Sequence, residues 1–355
     1  MSKGSERRGL ALLALLAGGW WIPPAVAEAQ ANEPGTTVNS SQPVDADLLR
    51  DFKVDYNHAD GEERAVFQRY IEALGAAAML DALEETFPRC HHQAFDLGVV
   101  LYASTQDLVT SLAVCGRRCT SACMHGVLLE AFGTRSMAVV QGALRSFCEG
   151  DVMAGRYKKG NCAHALGRAL MVVSGRDVGK SLDACSTDPD DAMGYYCATG
   201  VYMEYFTDPE ELDLEVFLNL HFPCDAHALY PAACYRYKSS LMLKALKNNV
   251  EALTRECLGL SGTHRRGCFH GLGMSQLPVV FAHPARLAQV CGQGNRDDRF
   301  LCVEGVVEKL ADYDEDVARR SCGSLDGELA RVCHAAVEEK MYRLKKANLL
   351  LYTGE

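Results

Sequence analysis

Residues 257–302 read CLGLSGTHRRGCFHGLGMSQLPVVFAHPARLAQVCGQGNRDDRFLC, and this stretch contains the pattern that decides the fold. Cys257 and Cys268 are 11 residues apart, and Cys291 and Cys302 repeat that separation. After the last of these cysteines, apolar residues follow at the three- and four-residue steps of one helix face: Val303, Val306, Val307 and Leu310. The stretch therefore predicts α-helices punctuated by paired cysteines.

The same arrangement continues through most of the chain. From residue 148 onward the near pairs are Cys148/Cys162, Cys185/Cys197, Cys224/Cys234, Cys257/Cys268, Cys291/Cys302 and Cys322/Cys333. Counted from Cys123, the second members recur at steps of 39, 35, 37, 34, 34 and 31 residues. A sustained step of about 35 residues is typical of a helical-hairpin repeat. We therefore predict an all-α fold, an α/α-solenoid of about seven hairpins, with a disulfide in each connector.

The composition agrees with an exported, folded protein. The chain has 355 residues, of which 48% are hydrophobic and 23% charged, as in globular or repeat proteins. Its net charge of −10 repels phosphate backbones, so no nucleic-acid partner is expected. Its 16 cysteines are an even number, which favours disulfides in an oxidising compartment.

The first 31 residues are typical of a secretory signal peptide. Basic residues precede a short apolar run that begins at Leu10 and is broken at Pro23 and Pro24. Ala29-Gln30-Ala31 fits the cleavage pattern, and Ala25-Val26-Ala27 is the alternative. We expect a periplasmic or secreted protein with no stable membrane insertion after cleavage. The predicted division is a signal peptide (1–31), a flexible leader (32–60), an N-terminal helical cap (61–89), the cysteine-punctuated repeats (90–332) and a C-terminal capping helix with a tail (333–355).

The first repeat units have an irregular cysteine spacing that leaves two pairings open. Cys115, Cys119 and Cys123 lie close together, and Cys90 precedes them. The favoured pairs are Cys115–Cys123 and Cys90–Cys119, and the alternative is Cys90–Cys115 with Cys119–Cys123. If the three clustered cysteines were reduced, their four-residue steps would suit Cu(I) or Zn²⁺.

Two further features recur at a fixed number of residues after the repeat cysteines. Three residues after the second cysteine a small residue is common, which would let two helices approach closely: Gly126, Ala165, Gly200, Gly271, Gly305 and Ala336. Histidines follow the same cysteines, so stacked repeats would place them on one surface. The candidate metal or acid/base residues are His91, His125, Glu130, His164 and His270. The favoured interpretation is structural, because no strong ligand lies four residues after these histidines, and the metal or acid/base site is the alternative. No cofactor is expected unless these histidines bind Zn²⁺ or Cu²⁺.

Tyrosines are concentrated in the central units. The favoured interpretation is core packing at helical spacing, and the alternative is a partner groove, for which Tyr202, Tyr205 and Tyr235 are the candidates. No catalytic residue can be assigned, because no nucleophile or dinucleotide motif occurs in a suitable context.

The cysteine layout resembles that of disulfide-bearing Sel1-like repeats, relatives of tetratricopeptide repeats found in some cysteine-rich secreted proteins. Cys162-Ala-His-Ala-Leu-Gly167 and Cys268-Phe-His-Gly-Leu-Gly273 carry the resemblance. It implies an α-solenoid whose concave face binds peptides or partner proteins, and it implies no catalytic residues. The leading hypothesis is therefore an exported scaffold for a protein or peptide ligand. The alternatives are a metal-binding protein or metal-dependent enzyme that uses the histidines, and a structural part of an envelope assembly.

Overall fold

The computed structural model describes residues 45–87, 89–207, 212 and 214–342, so the predicted signal peptide and the tail beyond residue 342 lie outside it. Within these ranges the chain is all-α, as predicted, and contains no strand. The helices are α1 (Ala46–Asn57), α2 (Glu63–Thr86), α3 (His91–Thr105), α4 (Leu108–Cys115), α5 (Arg118–Phe132), α6 (Met137–Ser146), α7 (Lys159–Val173), α8 (Val178–Cys185), α9 (Asp191–Thr207), α10 (Glu215–Leu218), α11 (Pro231–Ala245), α12 (Val250–Gly259), α13 (Gly262–Ser275), α14 (Leu277–Ala282), α15 (Leu287–Val290), α16 (Arg296–Tyr313), α17 (Glu315–Cys322) and α18 (Gly327–Glu339). None of these helices combines the length and apolar character that crossing a membrane requires.

Helix α1 lies in the segment that was predicted to be a flexible leader, so that prediction is wrong for residues 46–57. The side chain of Asp45 accepts hydrogen bonds from the first-turn amides and caps the helix. Phe52 and Tyr56, four residues apart on one face, are buried against Phe67 of α2. The buried aromatic pair anchors this helix, although the surrounding composition is polar.

Long and short helices alternate along the repeat region. The long helices have 13 to 18 residues, and each packs against the next in the order α3, α5, α7, α9, α11, α13, α16 and α18. The short helices α4, α8, α12 and α17 each contact the long helix before and the long helix after them. The long helices therefore form one continuous layer, and short helices bridge successive members of it.

Eight disulfides join neighbouring parts of this arrangement, and no cysteine is free. They are Cys90–Cys119, Cys115–Cys123, Cys148–Cys162, Cys185–Cys197, Cys224–Cys234, Cys257–Cys268, Cys291–Cys302 and Cys322–Cys333. These are the pairs that the spacing favoured. In a regular unit, the first cysteine ends a short helix and the second lies in the second turn of the following long helix. Eight disulfides indicate an oxidising compartment.

Removing one bridge is expected to cost stability without changing the fold. Cys322 and Cys333 close a loop of 11 residues between α17 and α18. Replacing both by alanine is expected to lower the free energy of unfolding by about 2–3 kcal/mol, because the unfolded chain regains loop entropy. Denaturant unfolding under non-reducing conditions measures the loss, and a loss below about 1 kcal/mol would contradict the loop-entropy model.

Neighbouring long helices approach one another at glycines. A Cβ atom at Gly200 of α9 would overlap the carbonyl oxygen of His164 in α7, and a Cβ atom at Gly167 of α7 would overlap that of Cys197 in α9. Reciprocal contacts of this kind also join α3 to α5 and α13 to α16, at Gly98, Gly126, Gly273 and Gly305. The prediction of a close approach at the small register residue is confirmed at Gly126, Gly200, Gly271 and Gly305.

The layer of long helices is curved, because helices far apart in the chain meet on one side of it. Arg236 of α11 forms an ion pair with Glu308 of α16, at 2.7 Å. The ring of His164 in α7 stacks on that of Tyr237 in α11, with centroids 6.4 Å apart. We call the side of the layer that carries these residues the concave side. It contains the candidate site.

Candidate functional site

The second residue after the register cysteine lies on the concave side in most units. This position holds His125, His164, Thr199, Arg236 and His270 on successive long helices from α5 to α13, and all five are buried. Polar groups in a protein interior are costly unless they are partnered. The partners of these residues therefore indicate what each one does.

His91, His125 and His164 lie next to one another and are called the histidine row below. The ring centroids of His91 and His125 are 5.7 Å apart, and those of His125 and His164 are 5.1 Å apart. Each ring has a polar neighbour at one nitrogen: Thr120 Oγ1 at 2.6 Å from His91 Nδ1, Asn161 Oδ1 at His125 Nε2, and Thr199 Oγ1 at 2.9 Å from His164 Nδ1. The structure thus brings together three of the five predicted site residues.

The histidine row is uncharged at neutral pH. Burial lowers the pKa of His125 to about 4, and it lowers the pKa of His91 and His164 well below the ordinary value. The positive charge of Arg168 acts in the same direction on all three rings. Two buried nitrogens in the row, His91 Nε2 and His125 Nδ1, have no hydrogen-bond partner. Neutral imidazoles with free nitrogens are the form that binds metals.

His270 does not belong to this row, so its inclusion in one metal site is wrong. Its Nε2 lies 3.2 Å from Glu308 Oε1, and the same carboxylate oxygen accepts a hydrogen bond from Arg236 at 2.7 Å. His270 is on α13, and the register positions between it and His164 are occupied by Thr199 and Arg236. It therefore belongs to a buried ion-pair cluster.

Glu130 is also separate from the row. It follows His125 by five residues on α5, which places it about 140° further round the helix axis. It is partly exposed, whereas His125 is buried. Grouping Glu130 with His125 in one candidate metal or acid/base site is therefore wrong, because their side chains leave the helix in different directions.

Thiolate metal binding is excluded for the clustered cysteines of the first units, since Cys115, Cys119 and Cys123 are all in disulfides. Among the described residues, one set of three histidine, cysteine or carboxylate ligand atoms lies within 4.8 Å of one another, namely that of Glu84, Cys90 and Cys119. The two sulfurs of that set are bonded to each other. The set therefore has no thiolate to offer an ion.

The predicted tyrosine groove is not open. Tyr202, Tyr205 and Tyr235 are all buried in the core. Burial raises the pKa of Tyr202 and of Tyr235. Their positions agree with the interpretation that these tyrosines pack in the core at helical spacing. Their rings lie between helices of the layer and expose almost no surface.

A segment after α18 covers the concave side, and nothing in the sequence pattern signals this. We call residues 339–342 the C-terminal segment. Lys158 Nζ donates hydrogen bonds to the carbonyl oxygens of Glu339, at 2.7 Å, and Met341, at 2.5 Å. The ring centroid of Tyr342 lies 5.2 Å from that of His164 and 6.2 Å from that of His125. The segment therefore lies directly against the histidine row.

One cavity opens beside this segment and a second opens near Cys90, and Thr120 lines both of them. Their volumes are about 160 Å³, next to the C-terminal segment, and about 320 Å³, next to Cys90. Thr120 and its two neighbours have left-handed backbone angles, with φ of 49°, 58° and 61° for residues 119–121. This conformation is unfavourable for a β-branched residue. Flanking disulfides at Cys119 and Cys123 hold it in place, and retained backbone strain of this kind is concentrated at functional sites.

No family model, no curated protein and no solved structure matches this chain. The resemblance to Sel1-like repeats therefore stays a prediction.

Proposed function

We propose that this protein is an exported scaffold that binds a peptide segment of a partner protein on its concave side. The observation that carries the proposal is that this side already holds part of the same chain, the last residue of α18 and the non-helical residues 340–342. Lys158 holds that segment through two main-chain carbonyl oxygens. Every peptide presents such carbonyls, so this mode of capture supports a peptide ligand in general.

The side chains of the C-terminal segment indicate which peptides would bind best. Tyr342 lies among the rings of His164, His125 and Tyr196, and the sulfur of Met341 is 3.5 Å from a guanidinium nitrogen of Arg236. Both side chains are more than nine-tenths buried. A ligand with an apolar residue followed by an aromatic residue would therefore reproduce these contacts.

The oxidising compartment indicated by eight disulfides supports the exported part of the proposal. Together with the signal peptide predicted at residues 1–31, it favours the periplasm or the cell exterior. A net charge of −10 favours a protein partner over nucleic acid.

The test uses the full chain with the concave side uncovered. In the variant with Met341→Gly and Tyr342→Gly, a fluorescent peptide with the sequence of residues 339–344, EKMYRL, is expected to bind and raise the fluorescence anisotropy. The unaltered chain is expected to bind the same peptide far more weakly. Its own tethered segment competes at an effective concentration on the order of millimolar. Absence of binding to the uncovered variant would overturn the proposal.

A second substitution tests the mode of capture. Lys158→Ala in the uncovered variant is expected to weaken peptide binding about 10- to 100-fold, because hydrogen bonds from a charged donor are lost. Lys159→Ala is the matched control, since Lys159 pairs with Glu149 at the surface, at 3.0 Å. Equal affinities of the two variants would contradict carbonyl capture by Lys158.

A further inference from the structure

A methionine that the sequence analysis did not consider lies against the histidine row. The Sδ atom of Met203, on α9, is 3.2 Å from Nε2 of His164, on α7. The two residues are 39 positions apart in the chain, and they meet because α7 and α9 pack closely at Gly167 and Gly200.

The hydrogen bonds around His164 decide which of its nitrogens carries the proton. The hydroxyl of Thr199 donates its hydrogen to the carbonyl oxygen of Tyr196, at 2.6 Å. Thr199 Oγ1 can therefore only accept from His164 Nδ1, at 2.9 Å. A neutral imidazole has one N–H group, so Nε2 of His164 is left with a lone pair. That lone pair faces the sulfur of Met203, which has no hydrogen to donate.

His125, on the neighbouring ring, has a second free lone pair. The side-chain oxygen of Asn161 can only accept, so the proton of His125 lies on Nε2. Its other nitrogen, Nδ1, is buried and has no partner. The rings of His125 and His164 have centroids 5.1 Å apart. Two neighbouring imidazole rings, each with one unprotonated nitrogen, and one thioether sulfur in contact with the ring of His164 therefore lie in the interior.

We infer that His164 Nε2, Met203 Sδ and His125 Nδ1 form a binding site for Cu(I). Thioether sulfur and imidazole are ligands that select this soft ion, whereas Mg²⁺ and Ca²⁺ require oxygen ligands. A single positive charge also suits the surroundings. The guanidinium of Arg168, whose charge acts on the row, is paired with Glu204 at 2.7 Å, and the carboxylate offsets part of its repulsion of a monovalent cation. The site goes beyond peptide binding, although the C-terminal segment covers it.

His91 provides a route to this site from the surface. It lies at the outer end of the row, 5.7 Å from His125 between ring centroids, and its Nδ1 is next to Thr120, which lines both cavities. Its unpartnered Nε2 would pass an ion from the cavities towards His125. Replacing His91 by leucine is therefore expected to slow Cu(I) loading and to leave the equilibrium affinity unchanged.

The experiment uses the full, oxidised chain and Cu(I) itself, supplied anaerobically as its acetonitrile complex without a thiol reductant. Competition with a chromophoric chelator is expected to give one tightly bound Cu(I) per chain. X-ray absorption of the loaded protein is expected to show one sulfur and two nitrogen neighbours. Absence of stoichiometric binding, or of the sulfur neighbour, in the unaltered protein overturns the inference whatever the variants do.

Met203→Leu is expected to lower the Cu(I) affinity more than about 10-fold and to remove the sulfur neighbour, because leucine conserves volume but cannot ligate. Met171→Leu is the matched control. Met171 is buried on the same helix as His164, but its sulfur faces the hydroxyl of Ser181, at 3.8 Å. Equal affinities of the two variants would overturn the assignment. Zn²⁺ binding of equal strength that is indifferent to Met203→Leu would also overturn it.

Discussion

Replacing Gly200 by alanine is expected to destabilise the protein by at least about 3 kcal/mol, although alanine is the better helix former. The added Cβ atom would overlap the carbonyl oxygen of His164 across the α7–α9 contact. A backbone atom cannot move aside as a side chain does, so the two helices must separate. Separation opens a gap between α7 and α9 and displaces His164. Denaturant unfolding of the oxidised protein measures the loss.

Gly142→Ala is the matched control for this prediction. Gly142 is also helical, on α6, but it is exposed and a Cβ atom there would meet nothing within 4 Å. That substitution is expected to raise the stability by about 0.5–1 kcal/mol, from helix propensity alone. If Gly200→Ala were as mild as Gly142→Ala, the close approach of α7 and α9 would be wrong.

The second large effect is expected from breaking the ion pair between Arg236 and Glu308. Each side chain exposes only 3% of its surface, and the nitrogen–oxygen distance is 2.7 Å. Glu308→Leu would leave the guanidinium of Arg236 buried without its counter-charge. The expected loss of stability is about 3–5 kcal/mol. It would be measured as a shift of the denaturation midpoint at unchanged slope.

The double variant separates the cost of an unpaired charge from the loss of the contact itself. Arg236→Met with Glu308→Leu removes both charges and keeps an apolar volume. It is expected to recover most of the stability that Glu308→Leu loses, since a buried pair gains little over apolar packing. Arg319→Met serves as a surface control, because its pair with Glu315 is about two-fifths exposed and contributes less than about 1 kcal/mol. A double variant as unstable as the single one would contradict this account.

Much of the fold was predictable because it depends on the spacing of residues that are close together in the sequence. A cysteine separation near 11 residues suits a bridge from the end of one helix to the second turn of the next, and Cys291–Cys302 is one such bridge. Gly200 and Gly305 were predictable as close contacts for the same reason, since they follow the register cysteine at a constant offset. Helix α1 was not predicted, because the segment was interpreted from its polar composition, although Leu48, Leu49, Phe52 and Tyr56 follow helical spacing and pack against the core.

The candidate site was predictable only in part. The register correctly grouped His125 with His164, because equivalent positions of adjacent repeats lie side by side. The register could not show that His270 lies apart from these two residues, or that Met203 contacts His164. Those contacts depend on how strongly the layer curves and on which helical turns of neighbouring helices face each other.

The spacing of cysteines and glycines thus established by itself that the chain is helical, which half-cystines pair from Cys148 onward, and where consecutive long helices touch. Only the tertiary structure decided that the concave side is covered by residues 339–342, that Arg236 pairs with Glu308, and that His164 meets Met203. The physical reason is distance along the chain. A helical period and a short disulfide loop constrain neighbours within one repeat. Contacts between residues 39 to 183 positions apart depend on the small rotation between successive repeats, which accumulates over the whole layer.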